Sequence, residues 1–324
     1  MATYLVTGAA GFIASKVCED LLASGHRVVG VDNLNDAYDV RMKQWRLSRL
    51  TPNKSFTFYH EDICDCPALE KIVSAHGTFD AVINLAARAG VRFSVEDPWT
   101  FFDANVTGTL NLLELCKRHD IPKFILASSS SVYGANAPLP TPENADTDHP
   151  IQPYAASKKS AEALSYSYHY LYGTDVTVFR FFNVYGPGNR PDMAMFRFIQ
   201  WINEGKPIKL NGDGTQSRGF TYLDDIARGV IAGLKPLGYE IINLGGHETI
   251  DMNDLIARLE SIIGKKAKIE QFPANKADMQ ANWANVEKAR RLLGWEPQVN
   301  LEEGLRLTVE WYLKERAWAS QIVS

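Results

Sequence analysis

Tyr154 and Lys158 stand four residues apart at the start of the helical stretch Ala155–Tyr170, a spacing that puts both side chains on one helix face. A tyrosine hydroxyl ordinarily ionises near pH ~10, so it works as a base near neutrality only where a cation stabilises the phenolate. A lysine ammonium one turn away supplies that cation. The pattern by itself is weak, because many helices carry a surface Tyr–Lys pair by chance. Some 25 residues before Tyr154, the run Ser128-Ser129-Ser130-Ser131-Val132-Tyr133-Gly134 closes an apolar segment. Serines at such a place are either turn formers and helix caps or hydroxyls that hydrogen-bond the reacting oxygen of a substrate.

What would position these groups begins at the N-terminus. Tyr4-Leu5-Val6 is a short apolar run, Thr7–Ala14 a glycine turn, and Ser15–Leu22 a helical segment. Gly8 allows the tight turn, and Gly11, followed by Phe12 and Ile13, lets backbone N–H groups approach a pyrophosphate on the helix N-terminus. Ala14 stands at the third glycine position, where a methyl group still permits close packing. A second strand, His26–Val31, ends at Asp32, about twenty residues after the turn, with Asn33 next to it. An acid there meets the adenosine ribose hydroxyls and predicts NAD rather than NADP. The lesser reading is a tight turn and an ordinary strand-end aspartate.

Further on, Phe56–His60 reads as a strand ending at Glu61-Asp62-Ile63, where an acid could take the adenine amino group. The apolar strand Ala81–Asn84 runs into Leu85-Ala86-Ala87, small side chains that let a flat cofactor come close. Tyr38–Leu50 has helix-forming composition but is basic, and is expected to be a solvated helix. Cys66–Ala75 and Pro98–His119 read as helices, the second long and unbroken, and Lys123–Ser128 as a buried strand. Strands alternating with helices over this half predict an α/β fold with a doubly wound parallel sheet. Beyond Arg180 the pattern breaks into shorter elements with Gly- and Pro-rich joints. The expected division is 1–180 for the dinucleotide and 181–324 for a smaller substrate-binding α/β region, with strand or helix exchange between the two.

Composition narrows the classes. The chain has 324 residues, 45% of them hydrophobic, enough for a sizeable core. A net charge of −4 gives no footprint for nucleic acid or an anionic membrane. No apolar run approaches a membrane span, and a strand beginning near residue 4 leaves no room for a signal peptide. Cys18 and Cys116 fall in helical patterns, while Cys64 and Cys66 have no second pair with which to hold zinc, so no metal is expected. A reduced, cytoplasmic protein is the expectation.

In this order and spacing, TGAAGFIA, DN, NLAA, NVTGT, ASSSSVYG, YAASK, RFFNVYGP and SRGFTYLDD resemble the extended short-chain dehydrogenase/reductase family, nucleotide-sugar branch, over nearly the full length. The resemblance implies a Rossmann fold, a homodimer, and a tightly held NAD reduced and reoxidised within one turnover. By position it makes Tyr154 the base, Lys158 the lysine on the cofactor ribose and Ser129 the serine of the Ser/Thr–Tyr–Lys triad. Asn105 falls where the family supports its active-site helix, and it is expected in the cofactor set. Asn183 matches a residue near the sugar phosphate, Arg218 a diphosphate-binding arginine and Asp278 an acid on the uridine ribose. Gly219 replaces the acid usually next to Arg218. Arg88 and Arg92 either add positive charge near the diphosphate or form surface salt bridges.

The reactions of the branch begin alike, with loss of the C4 hydroxyl proton and hydride to give a 4-keto sugar. The resembling 4,6-dehydratases carry an Asp-Glu pair after the catalytic Thr, and related decarboxylases a glutamate. Here those positions are Ser130 and Ser131, which do no acid–base work at neutral pH. That leaves 4-epimerisation. The segment Gly186–Met193 resembles the uronate-handling epimerases, as does Asn33–Asp39, and Arg190 at the matching position would pair bidentately with a C6 carboxylate. The bland reading of Arg190 is a loop arginine meeting carbonyls or solvent. The expected function is an NAD-dependent 4-epimerase on UDP-glucuronate and UDP-galacturonate. A UDP-glucose or UDP-N-acetylhexosamine epimerase is the alternative, and a silent dinucleotide-binding redox sensor or scaffold the reading from another class.

Overall fold

The computed structural model describes residues 1–246, 248–274 and 279–323. Six strands alternate with helices from the N-terminus: β1 (Thr3–Thr7), β2 (Arg27–Val31), β3 (Phe56–Tyr59), β4 (Ala81–Asn84), β5 (Lys123–Ser129) and β6 (Asp175–Phe181). They join a seven-stranded sheet with the Tyr239–Leu244 strand, in the order Tyr239–Leu244, β6, β5, β4, β1, β2, β3. Every pairing in it is parallel. Sheets of this kind are covered by helices on both faces, so their strands read as continuous apolar runs; all seven residues of β5 are buried. The order reverses direction between β1 and β4. Outside the carboxyl ends of the strands, that reversal opens a crevice.

The doubly wound parallel sheet is as expected. The chain leaves it after β6 and comes back to add the Tyr239–Leu244 strand. The remaining strands form two smaller sheets, one around Ser217–Tyr222 and one pairing Pro207–Asn211 with Lys268–Phe272. Beside them, the helices Ala194–Glu204, Met252–Ile263 and Leu301–Lys314 pack an apolar cluster containing Phe196, Leu255, Leu305 and Tyr312.

Two helices differ from expectation. Val40–Leu50 is not a solvated helix: Met42, Lys43, Arg46 and Leu50 are buried, and Asp39 caps it by accepting from the Arg41 N–H. Its charge hid its contacts. Lys43 and Arg46 are turned inward because each finds oxygen partners there, which is what makes a buried cation tolerable. Nor is 98–119 one regular helix. Pro98–Phe102 and Gly108–Arg118 are α-helical, but Asp103–Thr107 between them is a π-helical turn. Such turns carry the wider i→i+5 bonding and are common at functional sites.

Candidate active site

The crevice is a cleft of about 750 Å³ running from the glycine turn to the Gly186–Met193 loop. Gly8 adopts φ +69°, and a Cβ on it would lie 2.8 Å from the backbone of Ala86, so the turn and the small-residue end of β4 can approach only through a glycine. Gly11 begins the Phe12–Ala23 helix with no side chain over its first N–H groups. Those donors face the cleft bare, as an anion site at a helix N-terminus requires. Asp32 ends β2 with its Oδ2 accepting from the Ala10 N–H (3.1 Å) and Oδ1 from the Leu34 N–H (2.8 Å). Each oxygen keeps a lone pair for a ribose hydroxyl. Asn33 donates to Asp62 at 2.7 Å. With Phe12, Ile13, Ile63, Leu85, Ala86 and Ala87 also on the wall, the residues present fit a dinucleotide.

Pro153 at the first turn and Gly173, left-handed at the end, bound the helix that carries Tyr154 and Lys158. Lys158 is 3% exposed, and its Nζ donates to the Ala127 carbonyl at 2.8 Å. Burial pulls its pKa down to about 8, opposed by the charge of Glu162 one turn further on. Tyr154 is pushed up by burial and pulled back by the Ser129 hydroxyl and by the charge of Arg190. Ser129 in turn donates to the Ser131 hydroxyl and accepts from the Ser131 N–H, both at 3.2 Å. Ser130 accepts from the Asn282 amide at 3.0 Å. The structure therefore brings the tyrosine, the lysine and the serines to one end of the cleft, with a guanidinium close enough to influence the tyrosine.

Asn105 does not line the cleft. It sits in the π-turn at 1% exposure, accepts from the Arg88 N–H, and donates to the Arg88 carbonyl and the Ser157 hydroxyl. Ser157 donates to the Tyr154 carbonyl at 2.8 Å, so Asn105 ties the Arg88 segment to the helix that carries Tyr154. The chain of bonds continues through Thr109 and Asn84 to Thr7 at the end of β1.

Asn183, Arg88 and Arg218 also line the cleft, whereas Arg92 is not on its wall. Asn183 donates to the Gly219 carbonyl at 3.3 Å, and Arg218 donates to the carbonyls of Ser217, Met279 and Gln280. Asp278 lies outside the described residues. Arg190 is on the wall, but its Nε and Nη2 are bound to Asp192 at 3.0 and 2.5 Å. Sequence reasoning also missed Lys43, whose Nζ is 3.6 Å from Asp32 Oδ1. It missed Arg46 as well, which donates to the carbonyls of Ala10 in the glycine turn and of Gly188 in the Arg190 loop. Neither has a spacing signal, since each is one basic residue in a basic helix.

These arrangements have measured relatives. The NAD dependent epimerase/dehydratase family model matches residues 4–245. A UDP-glucuronate 4-epimerase of Thermodesulfobacterium geofontis is 57% identical over 312 residues, 96% of each chain. The crystal structure of a UDP-glucuronic acid 4-epimerase from Bacillus cereus, in complex with UDP-glucuronic acid and NAD, superposes with a TM-score of 0.91 at 38% identity, covering 97% of this chain and 99% of that one. A UDP-glucose 4-epimerase of Thermotoga maritima, with UDP-glucose, gives 0.90 at 35%, over 97% and 99%.

The lowered pKa of Lys158 has a consequence for stability. Between about pH 8 and the ordinary lysine value the unfolded chain keeps a proton that the folded one has released, so stability rises with pH across that window. In urea unfolding of the ligand-free protein, the wild type should gain about 2 kcal/mol on Lys158→Met between pH 7 and pH 10. Parallel pH curves for the two proteins would show that Lys158 keeps an ordinary pKa in the fold.

Proposed function

The chain belongs to the NAD dependent epimerase/dehydratase family, and from that premise we propose that it is an isomerase interconverting UDP-glucuronate and UDP-galacturonate at C4. NAD, when bound, takes the C4 hydride and returns it to the other face of a 4-keto sugar. Tyr154 accepts the C4 hydroxyl proton and gives it back. The charge of Arg190 favours its phenolate, Lys158 stands one turn further along the same helix to hold the cofactor ribose, and Ser129 hydrogen-bonds the reacting oxygen. Ser130 and Ser131, beside it, provide hydroxyls but no carboxylate for elimination.

One observation carries the uronate assignment: Arg190 lines the same cleft as Tyr154, Ser130 and Ser131, with its charge acting on the Tyr154 hydroxyl. A cation that acts on the base at C4 is also within reach of a carboxylate at C6. The pairing has chemical weight, because 4-keto glucuronate is a β-keto acid that loses CO₂ once its carboxylate stands perpendicular to the carbonyl. Arg190 with the hydroxyls of Ser130 and Ser131 holds the group away from that geometry. We assign the cofactor mainly to 1–180 and the uridine diphosphate to 181–324, through Asn183, Arg218 and Asp278. The neutral-sugar reading draws on the Arg190–Asp192 pair, in which the Nε–Nη2 edge of the guanidinium is already occupied by a carboxylate.

With purified enzyme, UDP-glucuronate should be converted in preference to UDP-glucose. Arg190→Ala should lose roughly a hundredfold or more on the uronate and far less on UDP-glucose, with a larger share of pentose by-product. A wild-type preference for UDP-glucose would remove the carboxylate assignment.

The protein acts as a cytoplasmic homodimer in this reading. No helix among the described residues is long and apolar enough to cross a membrane, and the four cysteines are free thiols. Trp99 on the helix that begins at Pro98, and Tyr166, Tyr170 and Leu171 on the one that begins at Pro153, are large apolar side chains left exposed, and Leu164 is half-buried. Tyr168 is buried and donates to Glu114 within the subunit. Sedimentation at micromolar concentration should give twice the chain mass; a monomer would contradict the dimer.

A further inference from the structure

Arg190 and Asp192 form a closed pair inside the cleft. The guanidinium donates through Nε to Oδ1 at 3.0 Å and through Nη2 to Oδ2 at 2.5 Å, with a weaker contact from Nη2 to the Ala89 carbonyl at 3.4 Å. This is the two-pronged arrangement by which a guanidinium recognises any carboxylate. The aspartate therefore occupies the Nε–Nη2 edge, one of the two edges through which a guanidinium can grip a C6 carboxylate. A second cation feels the charge of the aspartate. Arg197, on the Ala194–Glu204 helix, is within the field of Asp192, and its Nε is buried with no hydrogen-bond partner among the described residues. A buried N–H left without an acceptor is a standing penalty that an arriving carboxylate oxygen would remove.

Resting on the reading that Arg190 takes the uronate carboxylate, we propose that Asp192 is a specificity-determining residue, an internal stand-in that holds Arg190 until the substrate's carboxylate displaces it and then turns to Arg197. One carboxylate replaces another, so Arg190 is never left charged and unpaired in a half-buried site, which is the costly state for an ion pair. A neutral C6 hydroxymethyl cannot displace a carboxylate and leaves the pair closed. The exchange makes discrimination a difference between two pairings of the same guanidinium.

The test measures equilibrium binding by calorimetry on NAD-loaded protein in a Tyr154→Phe background, so that no turnover intervenes. Asp192→Asn should tighten UDP-glucuronate about tenfold and leave UDP-glucose within about twofold, since only the uronate competes with the aspartate. Asp192→Glu keeps the competing carboxylate and should bind both sugars as the parent does. Arg197→Gln should weaken UDP-glucuronate relative to UDP-glucose severalfold, and that effect should vanish when it is combined with Asp192→Asn. Unchanged or weaker UDP-glucuronate binding in Asp192→Asn overturns the proposal, as does equal tightening of both sugars. An Arg197 effect that persists in the double variant overturns the transfer to Arg197. The underlying assignment fails differently, through an Arg190→Ala variant that loses both sugars alike. Should Asp192→Asn not fold, as judged by circular dichroism, the Arg197→Gln ratio decides: no selective loss of the uronate overturns the exchange.

Discussion

A lysine ammonium held almost dry is the constraint on which the rest of the site depends. Lys158 is useful only while it is charged, and burial works against the charge. The fold answers with a carbonyl and, behind it, a carboxylate charge. Ala127 at the end of β5 accepts the hydrogen bond, and Glu162 stands behind it on the same helix. Glu162 is itself buried and takes both prongs of Arg180 from β6, at 2.9 and 2.7 Å, and the Ser128 hydroxyl at 2.5 Å. Because Ser128 precedes Ser129, one carboxylate fixes the catalytic helix against the strand that carries the serines. Breaking such a pair by removing one partner would leave an uncompensated buried charge, which typically costs about 3–5 kcal/mol. The reacting geometry is thus tied to the interior of the sheet.

A second tie runs across the cleft. Arg46 binds the carbonyl of Ala10 in the glycine turn and of Gly188 in the loop before Arg190, and its guanidinium lies over the Phe12 ring. Gly188 is left-handed, and a Cβ there would strike the ring of Trp45. The helix Val40–Leu50 therefore sets how far the glycine turn stands from the loop that carries Arg190. A third tie, from Thr7 through Asn84, Thr109, Asn105 and Ser157, joins the end of β1 to the Tyr154 turn.

The parts legible in the sequence were those set by backbone need. Gly8 must be glycine where φ is positive and a backbone passes at 2.8 Å, and Asp32 must follow a strand, so both leave a mark at fixed offsets. Tyr154 and Lys158 share a helix face by period alone. What stayed hidden depends on partners distant in sequence or on loop shape. A buried arginine such as Arg46 looks like any other charge on a basic helix until Gly188, 142 residues away, is placed over it. The π-turn at Asp103–Thr107 leaves no side-chain period to read, so the support that Asn105 gives the Tyr154 helix was legible only through the family resemblance. Asp192 closes on Arg190 through a local bend that its neighbours do not announce. The family resemblance supplied the reaction class. The geometry added how its charges are held.

The central claim is that the configuration at C4 changes by oxidation and reduction at that carbon, with Tyr154 moving only the hydroxyl proton. UDP-glucuronate carrying deuterium at C4, converted in ordinary water without added cofactor, tests it most directly. The account predicts that NMR of the UDP-galacturonate formed shows the deuterium still on C4. Loss of the label to solvent, with hydrogen from water at C4, would contradict it.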